Sequence, residues 1–525
     1  MKIRSSYSFI LIAGFLCCCA SPFEVVEQRQ EEAAIFPNYQ GTLTIPNNIA
    51  PLNFEILEDA KYFVVQIIAN GTVQFQQKIK NQKLSIVNCQ LSIPIKSWQK
   101  ILNSHTTDTL EIHISSGNSL KKMTAYKPFY WIVSEDAIDP YLVFRRIAPT
   151  ETPEKPQLIG IFEYGLETFE QRTLINSYLT DYGCMNCHYF SNNQSSRMSI
   201  HFRRKHAGTL ITSPDSSFMV DLRLPNGEKG IFGAFSPNGR YLAFSTNQLG
   251  ALFTVNVQRL KMWSYELASN MFVYDVQNNA ILSSDGLMAS GRQKTYPCWS
   301  HDGTFLYFCQ TNWQIPFLTD SSTVFERLRN THYELVRAKI NVPSETFETV
   351  ETIVATADIG GRSISFPRCS PDGRFVAFST TEFGTLDPNS IDGRLWFYDL
   401  NTKTAKEIEP DLDAPIVSTS TWSSNSRWIV VSSRRLDGVF SRPFLAHVDT
   451  EGNVSKFFVM PQKNPAHYRK QDFSYSLPEL ITSPVPLNAY DIADAIRKPV
   501  KRPTYVYPFD TLSPATIAGQ THHTE

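Results

Sequence analysis

One segment of this chain is written several times over. Phe232-Gly-Ala-Phe235-Ser236-Pro237-Asn238-Gly239-Arg240-Tyr241-Leu-Ala-Phe244-Ser245 returns as Tyr296-Pro-Cys-Trp299-Ser300-His301-Asp302-Gly303-Thr304-Phe305-Leu-Tyr-Phe308. It returns again as Phe366-Pro-Arg-Cys369-Ser370-Pro371-Asp372-Gly373-Arg374-Phe375-Val-Ala-Phe378-Ser379, and in worn form around Trp422, Asn425, Ser426 and Trp428. Asn-Gly or Asp-Gly supplies the positive φ of a tight hairpin, and the alternation that follows puts every second side chain into a sheet core. Each copy therefore predicts a strand, a turn and a strand. A second hairpin follows each one, near Phe272–Val276, Glu334–Ala338, Leu395–Leu400 and Phe444–Asp449. Two hairpins per unit, repeated at intervals of tens of residues, predict four-stranded blades around an axis, a β-propeller.

Further strands extend the count. Tyr189–Asn193 with Arg197–Ile200 reads as one more decayed copy. Tyr141–Phe144 and Leu158–Ile161 supply strands of another blade, closed by the C-terminal stretch Phe473–Ile481. The expectation is five to six blades, with six preferred. Upstream, Asn47–Val133 is alternating and β-rich with an Asn70-Gly71 turn, which predicts an immunoglobulin-like β-sandwich with Trp98 and Trp131 as core aromatics. The fold class expected is thus all-β, an N-terminal sandwich followed by a propeller.

The chain of 525 residues divides accordingly into a signal segment over 1–19, a solvated tether over 20–46 and the sandwich over 47–137. A linker over 138–187 contains Leu166–Asp181, whose apolar spacing predicts an amphipathic helix. The propeller follows over 188–483 and an extended tail, rich in proline, over 484–525. Lys2 and Arg4 precede an apolar run from Phe9 to Leu16 and the cluster Cys17-Cys18-Cys19-Ala20, so the start reads as a secretory signal. It resembles a bacterial lipoprotein signal, which implies lipidation of Cys19 and a lipid-anchored place in the cell envelope. Lys plus Arg number 49 against 50 Asp plus Glu, which leaves no excess positive field for nucleic-acid phosphates. Nucleic acid is therefore not an expected partner.

The motif with the most chemistry is Cys184-Met185-Asn186-Cys187-His188, the C-x-x-C-H spacing of a c-type haem attachment. In that reading Cys184 and Cys187 bind the porphyrin vinyl groups and His188 ligates the haem iron. His201 is the first candidate for the distal ligand, with Met198 and His206 behind it, and Arg203, Arg204 and Lys205 as partners for propionates. Two other readings stand beside haem c: a disulfide between Cys184 and Cys187, or a metal such as zinc held with His188. Cys298 and Cys369, in equivalent blade strands, read as small hydrophobes and not as a reactive pair.

The repeats resemble the WD40-like repeat of TolB-type periplasmic propellers over about residues 231–460. The wider block from Ile138 through the C-x-x-C-H to Leu210 is similar to a family of bacterial lipoproteins known as TolB-like or cytochrome c biosynthesis proteins. The resemblance implies a role in the cell envelope, as a haem carrier in electron transfer or cytochrome c biogenesis. The alternative is a non-enzymatic scaffold whose propeller face docks other envelope proteins. A receptor for carbohydrate or peptide is a third reading, suggested by the aromatic content. G-x-S-x-G, H-E-x-x-H and the phosphate-loop pattern do not occur, so the sequence offers no signature of a hydrolase, zincin or nucleotide enzyme.

Overall fold

The computed structural model describes residues 23–507 and 509, apart from the short segments 82–88, 149–158, 257–258, 289–290, 313–320, 342–345, 386–391, 410–411, 413–414 and 508. The signal segment, including Cys19, and Leu158 lie outside the described residues.

Six sheets stand around one axis. Blade 1 takes its inner strand, Ser474–Ile481, from the C-terminal part of the chain and its three outer strands from Tyr141–Ile147, Gly160–Gly165 and Gln171–Asn176. The inner strands of blades 2 to 6 are Met185–Ser191, Gly230–Phe235, Gln293–Trp299, Ser363–Cys369 and Val417–Trp422. Each inner strand packs against the next, and the sixth packs against Ser474–Ile481, so the ring is closed by pairing the two ends of the propeller chain within one sheet. Such closure leaves no open seam between first and last blades.

The repeated Ser-x-Asn/Asp motif is a device for the turn. In blade 3 the Ser236 hydroxyl donates to Asn238 Oδ1 at 2.7 Å and accepts the Tyr241 N–H at 3.0 Å, while Gly239 sits at φ +70°. Ser300 with Asp302 and Ser370 with Asp372 repeat this in blades 4 and 5. In the worn copy Ser423 and Asn425 keep the bonds, and Ser426 takes the left-handed conformation at φ +60° that glycine holds elsewhere.

Three expectations are corrected. Leu166–Asp181 is not a helix: Gln171–Asn176 is the outer strand of blade 1, paired with Gly160–Gly165, and turns follow to Gly183. Its apolar residues match helical spacing, but Leu174 and Ile175 are buried by the sheet, whose packing overrides the local period. The segment 138–187 is thus a blade and not a linker. The N-terminal unit is one hydrogen-bonded seven-stranded sheet, with Ile95–Ser104 as a helix and a separate two-stranded ribbon, Ile35–Phe36 with Glu55–Ile56; its described residues do not show a pair of immunoglobulin-type sheets. Trp98 and Trp131 do lie in its core, edge to face at 5.8 Å. The tether residues join this sheet as Val25–Gln28 and Thr42–Pro46, both in parallel pairs.

The N-terminal unit shares its core with blades 1, 5 and 6. Tyr39 donates to the Val459 carbonyl at 3.2 Å, Trp428 to the Asp136 carbonyl at 2.9 Å, and Arg469 pairs with Glu55 at 3.0 Å. The tail is a coat: Val500–Lys501 and Thr504–Tyr505 add parallel strands to the outer edges of blades 2 and 3, and the short helix Ala489–Ala495 packs on blade 1.

Candidate functional site at the channel mouth

The register of the inner strands defines one four-residue frame in every blade. Cys187-His188-Tyr189-Phe190 in blade 2 corresponds to Phe232–Phe235, Tyr296–Trp299, Phe366–Cys369, Thr419–Trp422 and Leu477–Leu480. The strands bulge at or beside the first position, and Cys187, Tyr296, Phe366 and Leu477 take positive φ there. A bulge re-aims the side chain. Tyr296 and Phe366 consequently stack at 4.0 Å with Phe232 at 4.7 Å from Tyr296, a contact between blades that fills the channel with aromatic rings.

The third position faces the mouth above this plug. Tyr189, Ala234, Cys298, Arg368, Thr421 and Glu479, one from each blade, line a cavity of about 120 Å³. Trp299 and Trp422 line it as buried side chains, and His301 is its exposed neighbour. Arg368 and Glu479 approach to 3.5 Å, and the Arg368 guanidinium lies 5.8 Å from the centre of the Tyr189 ring. Burial pushes the Glu479 carboxyl up to about 7, against the opposing pull of Arg368 and the Thr421 hydroxyl. The loose pair therefore compensates only part of the desolvation.

A second polar cluster lies around Glu266 of blade 3. Tyr333 Oη is 2.6 Å from Glu266 Oε2, Ser269 Oγ is 3.1 Å from the same oxygen, and Asn247 donates to Oε1. Burial raises the Glu266 carboxyl, and these donors act against the rise. Glu479 and Glu266 belong to no recognisable motif, and Arg368 holds a variable position of the repeat; only alignment of the inner strands to a common frame would have marked Arg368 and Glu479 together.

The C-x-x-C-H residues occupy the inner strand of blade 2. Cys184 stands just before it, with its thiol 3.4 Å from Asn186 Oδ1. Cys187 is buried in the apolar cluster of Tyr189 and Tyr296, and burial pushes its thiol up. His188 is fully buried beside Phe190, whose ring it meets edge-on at 6.1 Å. The Val143 carbonyl approaches the imidazole, but neither ring nitrogen makes a well-formed hydrogen bond. Burial takes its pKa down to about 3. Met198 is core, cross-strand from Phe190. His201 is cross-strand from Asn186 and bonds Thr209 at 3.1 Å; burial lowers it to about 3 as well. His206 pairs with Asp181 at 2.7 Å, as does Lys205 at 3.1 Å.

This arrangement does not fit haem c. Cys187 packs in the channel-side cluster while His188 lies against Val143 and Phe190 of another, so consecutive residues face opposite sides of a strand and cannot both reach one porphyrin. His201, one residue from Ile200 and three from Met198 along the strand, faces away from both. Met198 shares the face of His188 within the same sheet, where it cannot stand across an iron from it. Cys184 and Cys187 are both free thiols, one just before the inner strand and one buried within it. Among the described residues no three His, Cys, Asp or Glu side chains are placed to hold a metal ion.

No family model and no curated protein matches the chain. Solved structures that are similar include the tricorn protease, at 10% identity and TM-score 0.35 over 71% of this chain and 34% of that one. This chain thus spans about a third of that protease's length. A hypothetical selenium-binding protein from Sulfolobus tokodaii has 10% identity and TM-score 0.36, covering 68% of this chain and 96% of that one. A putative 6-phosphogluconolactonase from Bacteroides fragilis has 10% identity and TM-score 0.33, covering 61% and 94%. None of these likenesses carries a function to this chain.

Proposed function

We propose that this protein is a lipid-anchored scaffold of the cell envelope, held to the membrane through Cys19, whose propeller docks another envelope protein at the channel mouth. One observation carries the reading: all six blades converge on one small cavity. Phe232, Tyr296 and Phe366 stack two residues deeper along the same strands, while Arg368, Glu479 and Thr421 offer polar groups within the cavity and the exposed His301 stands beside them. A small cavity with a few convergent polar groups is what a protein partner's protruding side chain engages. A role in electron transfer or cytochrome c handling through haem would require Cys184, Cys187 and His188 to leave the ring, which the closed inner strand opposes.

The test is site-specific photo-crosslinking in the native envelope. A photoreactive residue at His301 or Asn192 should capture one discrete partner, and the same residue at Lys406, on the outer strand of blade 5, should not. Cys19→Ala should release the protein from the membrane fraction. Equal capture from rim and outer strand, or none from the mouth, refutes the docking site. Mature protein from a host that matures c-type cytochromes should be colourless after denaturation; a Soret band that survives denaturation overturns the scaffold reading in favour of haem.

A further inference from the structure

In this propeller the fourth position of an inner strand reaches back to the third position of the blade before it. Trp299 Nε1 donates to the Ala234 carbonyl at 3.1 Å, and Trp422 Nε1 to the Arg368 carbonyl at 3.0 Å. Between blades 4 and 5 the same two positions are both cysteine. Cys369 takes the place of the tryptophan and Cys298 is the third-position residue it meets. The Cys369 backbone N–H donates to Cys298 Sγ at 3.1 Å, and the two thiols hydrogen-bond to each other. Both line the mouth cavity; Cys298 is buried and Cys369 is half-buried.

Their surroundings divide the pair chemically. The Cys369 thiol, the nearby Arg368 guanidinium and the Cys369 N–H favour a thiolate on Cys298 and hold it below the usual thiol range. The hydrogen bond to Cys298 and burial push Cys369 the other way. Cys309, by contrast, is fully buried and raised by desolvation, as an inert core thiol is.

We propose that Cys298 and Cys369 are an exchange-competent dithiol that closes to a reversible disulfide between blades 4 and 5, with a low-molecular-weight disulfide as oxidant. Cys369, the more exposed, passes its thiol proton to the Cys298 sulfur and as the thiolate attacks one sulfur of the oxidant RSSR, forming a mixed disulfide and releasing RS⁻, which takes that proton back from Cys298 as RSH. The Cys298 thiolate then attacks the Cys369 sulfur, forming the inter-blade S–S bond and releasing the second RS⁻. Two electrons and the one proton of the pair leave the protein sulfurs and appear in one RSH and one RS⁻, the latter protonated by water. The bond would tie positions 71 residues apart across one seam and reshape the mouth beside Arg368. The inference stands whatever docks at the mouth.

The experiment treats the folded full-length chain with hydroxyethyl disulfide, blocks remaining thiols with N-ethylmaleimide, and measures intact mass and disulfide-linked peptides. The expected result is loss of two hydrogens, one linked peptide pair containing Cys298 and Cys369, and reversal by dithiothreitol. Cys298→Ser, and Cys298→Ala as a second variant, should instead accumulate the mixed adduct on Cys369. Retention of both free thiols in the wild type, or a link through Cys187 or Cys309 instead, overturns the proposal.

Discussion

Replacing His188 by leucine should stabilise this protein, and increasingly so as the solution is acidified. The imidazole is fully buried and neither nitrogen has a well-formed partner, so folding strips water from two polar atoms with little return. An unsatisfied buried polar group costs about 1–3 kcal/mol, whereas an apolar residue of similar volume carries no such penalty. The pH dependence adds a second, separable quantity. His188 titrates near 3 when folded against 6.5 as a free group. Below pH 6.5 the unfolded chain therefore binds a proton that the native state refuses, and stability falls with pH until the folded pKa is reached. At about pH 5 the deficit is roughly 1.5 pKa units, or about 2 kcal/mol at 1.36 kcal/mol per unit. The advantage of His188→Leu should thus grow from about 1–3 kcal/mol near pH 7.5 to about 3–5 kcal/mol near pH 5. Urea unfolding followed by tryptophan fluorescence at the two pH values measures it. His201 and the carboxylates titrate in both proteins and cancel in the difference. A variant that is less stable at both pH values, or whose advantage does not change with pH, refutes the claim that this imidazole is an unpaired, neutral core residue.

Two other perturbations probe the channel and the tail. Tyr333→Phe removes the phenol 2.6 Å from buried Glu266 and should cost about 1.5–3 kcal/mol by urea unfolding; an unchanged midpoint would show that Glu266 is protonated and already satisfied by its other donors. Truncation after Lys498 strips Val500–Lys501 and Thr504–Tyr505 from the edges of blades 2 and 3, exposing unpaired strands that should drive self-association in light scattering. A monodisperse monomer would show that those edges need no cover.

Much of the architecture was legible because its instructions are local. A Ser-x-Asn/Asp turn writes its own hydrogen bonds within six residues, so Ser236, Ser300, Ser370 and Ser423 announce four blades directly. The worn copy at Tyr189 and the closing strand at Phe473–Ile481 were readable as strands through alternation. What failed was reading by local pattern where tertiary context decides. Leu166–Asp181 carries helical spacing, yet its apolar residues satisfy the second layer of a sheet equally well once Gly160–Gly165 lies beside them. The C-x-x-C-H motif meets the same tertiary context. Its chemistry presumes a turn that gathers five residues on one side of a porphyrin, and this stretch is an extended inner strand with a bulge at Cys187.

The channel mouth was illegible in a different way, because its residues are distributed one per repeat and differ in every copy. First and fourth positions are constrained by packing: rings fill the axis from one, and side chains strap neighbouring blades from the other. The third position lines the cavity, and the straps from the next blade reach its backbone, not a required side chain, so the six blades place a phenol, a methyl, a thiol, a guanidinium, a hydroxyl and a carboxyl there. A ring of that composition has no rotational symmetry although its scaffold has nearly sixfold repetition. A ligand seated on it can therefore bind in one orientation, with its own charge set by where Arg368 and Glu479 stand. Exchange of those two residues, Arg368→Glu with Glu479→Arg, keeps the pair and the net charge while it turns the polarity of the mouth around. Loss of the crosslinked partner in that double variant, with the urea midpoint held, would separate recognition by the mouth from stability of the ring; retention of the partner would place docking elsewhere on the propeller.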